Sequence, residues 1–169
     1  AAAWKGPGAG EIDAGGKTLM PGFIDSHFHL LYGALNLAGM QFGDTSSYEQ
    51  LAEVIRAYAA ENPADEWLPG AGLRYNAGPG QSPLNRHHLD AVVADRPIYI
   101  NSYDGHTSWA NTRALELAGI FYGGKTGPYR EIVLDERGEA TGELRETGAF
   151  TPVSQLVPQP DAARKMALL

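Results

Sequence analysis

Short β-branched and aromatic runs alternate along this chain with segments of helical periodicity, and that alternation restricts it to an α/β fold. "FIDSHFH" (23–29), "EWLPGAGLRY" (66–75) and "RPIYINS" (96–102) read as strands. Between them, Ser46 and Glu49 have the spacing of a capping box. Leu51, Val54, Ile55 and Tyr58 then recur on one helical face before Pro63. Ser82 and Pro83 predict a second helix start running through "LNRHHLDAVVAD", and "SWANTRALELAG" predicts a third, stopped by Gly119. "YREIVLDERGEATGELRE" (129–146) has the character of a hairpin turning near Glu136–Gly138, and a last helix begins after Pro160. The Gly-rich opening carries a strand, a turn at Gly15–Gly16 and a return.

In "FIDSHFH" the two-residue period of a strand puts Phe23, Asp25, His27 and His29 on one side and Ile24, Ser26 and Phe28 on the other. Bulky apolar groups on both sides suit a strand buried on two faces, as in a parallel sheet.

A chain of 169 residues can bury one core, and a single domain is the prior. Its net charge of -7 argues against nucleic acid or an anionic membrane as partner, since both require a basic face. The absence of cysteine excludes disulfides, thiolate zinc sites and thiol nucleophiles, so any metal here is held by nitrogen and oxygen. No run of eighteen apolar residues and no signal-peptide pattern occurs, which makes a cytoplasmic protein the expectation. The chain opens on Ala1, without an initiator Met, and closes on "PDAARKMALL" with no helix stop, so it is expected to be a piece of a larger protein.

Two of the five histidines, His27 and His29, stand one residue apart. From one strand both imidazoles project on the same side and can chelate a divalent ion. Catalytic zinc takes three protein ligands and keeps a position for water, so the pair is a partial site. An isolated pair of this kind is more often incidental. What weighs against that here is its place at the C-terminal end of a buried-type strand, where α/β folds keep their sites. A cupin barrel also binds metal through such a pair but wants a Glu a few residues on, and "LLYGALNLAG" has none.

A second constellation is "DGH", with Gly105 permitting a tight turn that aims Asp104 and His106 out of a strand end. Alone it is most often an ordinary strand-to-helix turn with a capping Asp. Asn111, one turn into the following helix, is placed to orient the turn or contact substrate. A third is "TGELRE", where Glu146 shares a face with Leu144 and is a candidate for an inward-turned acid, against the plainer reading of a solvated hairpin end. His87 and His88 read as surface and packing residues. Tyr32, Trp67, Tyr75 and Trp109 hint at an aromatic-lined pocket but fit core packing better.

"IDAGGKTLMPGFIDSHFHL" resembles the entry to the metal-dependent amidohydrolase superfamily, where a Gly-rich strand pair leads through "PGFID" into HxH on the first barrel strand. "RPIYINSYDGHTSWANTRALELAGI" and "ATGELRE" are similar more specifically to amidohydrolase family 3, the branch containing N-substituted formamide deformylases. The three blocks occur in the family's order. The resemblance implies part of a TIM-type (β/α)8 barrel over residues 21–169, with a hairpin insertion near 129–146 and the edge of a small β-sandwich over residues 1–20. It implies hydrolysis of a C–N bond of a small amide or formamide by a divalent metal, zinc first. By the same resemblance His27 and His29 match the first two metal ligands. Asp104, His106 and Asn111 match a block near the substrate, His106 also with a catalytic role. Glu146 matches an acidic residue that ligates metal or handles a proton. The family's remaining ligands and its general base fall in later strands. A barrel needs about 250 residues, so the expectation is an N-terminal portion, inactive alone, of a protein that is a homo-oligomer at full length. Two other readings stand beside it: a small α/β binding module whose HxH is structural or incidental, and a degenerate hydrolase completed by a second chain.

Overall fold

The computed structural model of the chain describes residues 6–10, 12–27, 29–125 and 127–169. In chain order its elements are α1 (Leu30–Asn36), β1 (Met40–Gln41), α2 (Tyr48–Glu61), β2 (Leu68–Leu73), α3 (Arg86–Asp90), β3 (Ile98–Ser102), β4 (Thr107–Ala110), α4 (Thr112–Leu117), β5 (Glu131–Leu134), β6 (Ala140–Arg145), α5 (Thr147–Ser154) and α6 (Ala162–Leu168). The strands form one sheet in the order β1-β2-β3-β4-β6-β5. β1, β2 and β3 run parallel, and β4, β6 and β5 join antiparallel to their neighbours. The sheet is therefore mixed, and the parallel layer expected from the alternation of elements holds for its first three strands.

The alternation of β3 explains the two layers. Ile98 and Ile100 point into a core with Leu68, Leu73, Trp109 and the inner face of α2, where Leu51 and Ile55 are fully buried. Each of those two side chains stabilises the fold by about 1.5–3 kcal/mol, and Leu51→Ala would cost about 2–5 kcal/mol. Tyr99 points the other way, into a second core with Ala110, Leu115, Leu144, Ala149 and Val153, which α4 and α5 supply in part. Gly142 lets β6 approach this closely: a Cβ there would stand 2.5 Å from the Ala110 carbonyl and 2.9 Å from the Arg86 nitrogen.

Helix starts fall near the expected places but on different residues. Ser47, not Ser46, caps α2, accepting from the Gln50 amide, while the Gln50 side chain accepts from the Ser46 amide at 2.8 Å. Glu49 sits in the first turn, where its own amide and then the Ser47 hydroxyl hold its carboxyl below the usual range, but the reciprocal bond to Ser46 comes from Gln50. α3 starts at Asn85 rather than Ser82, because Asn85 and His88 make a complete capping box, and the helix is only five residues long. Asn and Ser cap about equally well, and what favours Asn85 is the reciprocal bond that its amide donates to the His88 side chain. The helix expected from Ser108 begins instead at Thr112, since Thr107–Ala110 pair with β3 on one side and β6 on the other. Its close at Gly119, the hairpin turn near 136–138 and the last helix after Pro160 stand as expected.

The largest departure is at the N-terminal end. "FIDSHFH" is not a strand among the described residues, and Phe28 lies outside them. Phe23 and Ile24 are 97% and 96% exposed, so neither face is buried. A strand is held by ladder bonds and burial rather than by its own propensity, and no described strand pairs with residues 23–29. Likewise the turn at Gly15–Gly16 is present, with the Asp13 carboxylate accepting from the Gly15 amide, but no strands flank it. Among the described residues no helix is long and apolar enough to cross a membrane.

Candidate active site

β3 ends at Ser102 and β4 begins at Thr107, so residues 103–106 form a turn at the C-terminal end of β3. Gly105 sits at φ 75°, which allows the chain to reverse in so few residues. Asp104 organises the turn. Its carboxylate accepts from the Ser102 hydroxyl at 2.6 Å, the His106 amide at 3.2 Å and the Tyr75 hydroxyl at 3.2 Å. The Ser102 hydroxyl, with help from the His106 amide and Tyr75, holds the Asp104 carboxyl below the usual carboxylate range. It is a fixed acceptor that keeps its charge.

β6 delivers Glu146 to the same turn. The Glu146 amide donates to the His106 carbonyl at 2.7 Å, and its Oε2 lies 3.3 Å from His106 Nδ1. Glu146 occupies the N-cap position of α5, yet its side chain caps nothing there and is committed to the imidazole instead. Its backbone stands at φ 66°, ψ 157°, a region that suits glycine and costs another residue about 1–3 kcal/mol. The side chains of His106 and Glu146 are 67% and 45% exposed, so Glu146 is not the inward-turned acid its neighbour Leu144 suggested.

His27 and His29 converge without a strand to align them. Their Nε2 atoms are 2.8 Å apart, with the rings edge to face, and the Asp25 carboxylate accepts from the His27 amide. A tetrahedral ion at the usual zinc–nitrogen distance sets its nitrogens about 3.4 Å apart. The rings need to part by only about half an ångström to share one ion, a small movement for exposed side chains. The pair therefore fits a divalent cation as two donors. Among the described residues no third His, Cys, Asp or Glu completes a cluster. Tyr32, three residues after His29, places its hydroxyl 4.0 Å from where a Cβ on Gly105 would stand, which brings α1 beside the 103–106 turn.

The sequence model of the amidohydrolase family matches residues 10–169. The chain belongs to the amidohydrolase family. Within it, the N-substituted formamide deformylase of Arthrobacter pascens is 32% identical over 147 residues, covering 85% of this chain and 27% of that protein. YtcJ of Bacillus subtilis (strain 168) is 30% identical over 155 residues, covering 88% of this chain and 29% of YtcJ. A crystal structure of a metal-dependent hydrolase from Pyrococcus furiosus is similar in fold, with a TM-score of 0.54 at 23% identity, covering 82% of this chain and 25% of that one. The chain thus spans less than a third of the length of the curated relatives it matches.

Of the residues the family blocks carry, the structure brings Asp104, His106 and Glu146 together and leaves Asn111 apart. Asn111 follows β4 whereas His106 precedes it, so a whole strand separates them. Asn111 is fully buried, and its amide is used up: it accepts from the Ile98 and Ala114 amides and donates to the carbonyls of Val93 and Arg96. In this amidohydrolase chain it is a clamp between β3 and α4 rather than a group facing substrate. Trp67 and Trp109 are buried, while Tyr32 and Tyr75 stand half-exposed at the site. The sequence marks neither Ser102 nor Thr107 as a site residue, and marks Tyr75 only as a hint of an aromatic-lined pocket. A Ser two before an Asp is a readable signal for a local turn, but Tyr75 reaches Asp104 from the segment after β2 and has no such signal.

Proposed function

We propose that this chain is the N-terminal part of a metal-dependent amidohydrolase that cleaves a C–N bond of a small amide or formamide. The observation that carries the proposal is the convergence of His27 and His29, Nε2 to Nε2 at 2.8 Å, in the block where the family places its first metal ligands. Bound there, a divalent ion, zinc first, supplies a Lewis acid for the carbonyl and an acidified water. His27 and His29 hold it by neutral imidazole nitrogens. His106 and Glu146 handle the proton. With Nδ1–H donating to Glu146, the exposed Nε2 of His106 is the free base: it takes a proton from the attacking water and, as imidazolium, hands that proton to the leaving nitrogen. Asp104 fixes the turn that presents His106. The remaining ligands belong to later barrel strands, so this chain alone binds metal weakly and turns nothing over.

Cobalt(II) titration followed by its visible absorption tests the assignment. The expected result is weak one-to-one binding that His27→Ala and His29→Ala each abolish, with no amide hydrolysis by the isolated chain. Binding that survives both substitutions, or turnover by these 169 residues, would overturn it. A structural site would instead bind tightly and unfold with chelator.

A further inference from the structure

We propose that Tyr75 is a positioning residue, whose hydroxyl ties the 103–106 turn to the end of β2 and so sets where His106 meets Glu146. This role rests on His106 and Glu146 handling a proton, as set out above. The other hydrogen bonds on the Asp104 carboxylate are local. Ser102 donates to Asp104 and accepts from the Thr107 amide at 3.0 Å, and the His106 amide donates to Asp104. All of them arrive with the β3–β4 connection and move with it. Tyr75 lies in the segment just after β2. Its hydroxyl lies 3.2 and 3.3 Å from the two Asp104 oxygens and 3.2 Å from Thr107 Oγ1.

The Tyr75 ring is itself held. It meets the buried Trp109 edge to face at 5.7 Å and Tyr103 at 6.1 Å, while the Tyr103 amide donates to the Leu73 carbonyl at 3.0 Å. On its far side the turn is tied to β6 by the Glu146 amide on the His106 carbonyl. The turn is therefore suspended between β2 and β6, with a glycine pivot at Gly105 in the middle. Without the Tyr75 hydroxyl the turn keeps its internal bonds, the Tyr103 amide on Leu73 and the Arg74 guanidinium over the Tyr103 ring, but Asp104 loses its hydrogen bond from outside the turn. With its backbone still held by the Glu146 amide, the His106 side chain is then free to turn away from the Glu146 carboxylate, since one 3.3 Å contact between exposed side chains is weak.

Carboxyl-detected NMR titration of Asp104 in the 169-residue chain tests this, with the nuclear Overhauser contact between the His106 ring and the Glu146 side chain as second readout. The charged and titratable groups around Asp104 are His106 in the same turn, Tyr75 and Arg74 at the end of β2, Tyr103, and Tyr32 from α1; Glu146 faces His106. Tyr75→Phe is expected to raise the Asp104 midpoint towards the ordinary carboxylate value and to abolish the His106–Glu146 contact. Thr107→Val leaves the hydroxyl to Asp104 alone, so the midpoint falls and the contact survives. An unchanged midpoint in Tyr75→Phe overturns the role, as does a raised midpoint with the contact intact. A rise in Thr107→Val matching that of Tyr75→Phe would reveal general loosening and would overturn it too. Loss of folding in Tyr75→Phe, where the ring is kept, would make Tyr75 structural. None of these outcomes depends on metal binding at His27 and His29, so this role and the hydrolase assignment fail separately.

Discussion

Removing the Asn111 amide separates a structural clamp from a substrate contact. In Asn111→Ala two buried amides lose their acceptor: that of Ile98, which opens β3, and that of Ala114, in the first turn of α4. The Val93 and Arg96 carbonyls lose a donor as well, but both residues are only partly buried and can turn to water. The lost helix cap costs about 1 kcal/mol, and the orphaned Ile98 amide, in a fully buried residue, costs about 1–3 kcal/mol. The sum, about 2–4 kcal/mol, is a large share of the 5–15 kcal/mol that typically holds a domain together. Asn111→Asp keeps both acceptors but sets a carboxylate against two carbonyl oxygens, so it is expected to cost at least as much. Urea unfolding followed by far-UV circular dichroism measures both. Stability within about 0.5 kcal/mol of the parent in Asn111→Ala, the range of an ordinary surface change, would refute the clamp.

Arg86 is 3% exposed, donates from Nε to the Ala140 carbonyl at 2.8 Å, pairs with Glu139 and lies over the Phe121 ring. Arg86→Met is therefore expected to destabilise by about 2–3 kcal/mol and to speed amide exchange in the β5–β6 hairpin, and unchanged hairpin exchange would contradict it. Glu146→Gly should relieve the backbone at φ 66° and stabilise by about 1 kcal/mol, raising Tm by about 2–4 °C, whereas Glu146→Ala should not. Equal melting temperatures for the two variants would show that no strain is stored there. Burial pushes the Tyr99 hydroxyl from 10.0 up to about 12. The fold favours the neutral phenol, so its contribution is whole below pH 10 and is lost as pH rises through about 12. That loss amounts to about 2–3 kcal/mol. Tyr99→Phe should remove this step from the stability profile between those values, and an identical alkaline fall in the variant would rule it out.

Much of the sheet was legible because its strands carry their own signals. β3 is a β-branched and aromatic run just after Pro97, β2 an apolar run that carries Pro69 within it, and the β5–β6 hairpin has its reversal at polar residues with Gly138 at positive φ. β4 was read as helix because "SWANTRAL" contains good helix formers. Pairing on both edges and the burial of Trp109 outweighed that weak preference. The opposite happened at residues 23–29, where local pattern demanded a strand and no described strand pairs with it. At the site, spacing singled out Asp104, His106 and Glu146 but could not show that Glu146 reaches across to the imidazole.

The amino-acid order by itself marked the candidates for the chemistry: the two imidazoles one residue apart, the glycine-pivoted turn and the acid that follows β6. Those are properties of neighbours along the chain, and the family motifs are written in them. Only the tertiary structure decided who meets whom. It paired His106 with Glu146, forty positions later, brought Tyr75 to Asp104, and withdrew Asn111 into the core. Contacts between strands depend on register and burial, which are set by the whole sheet at once and leave no mark at any single position.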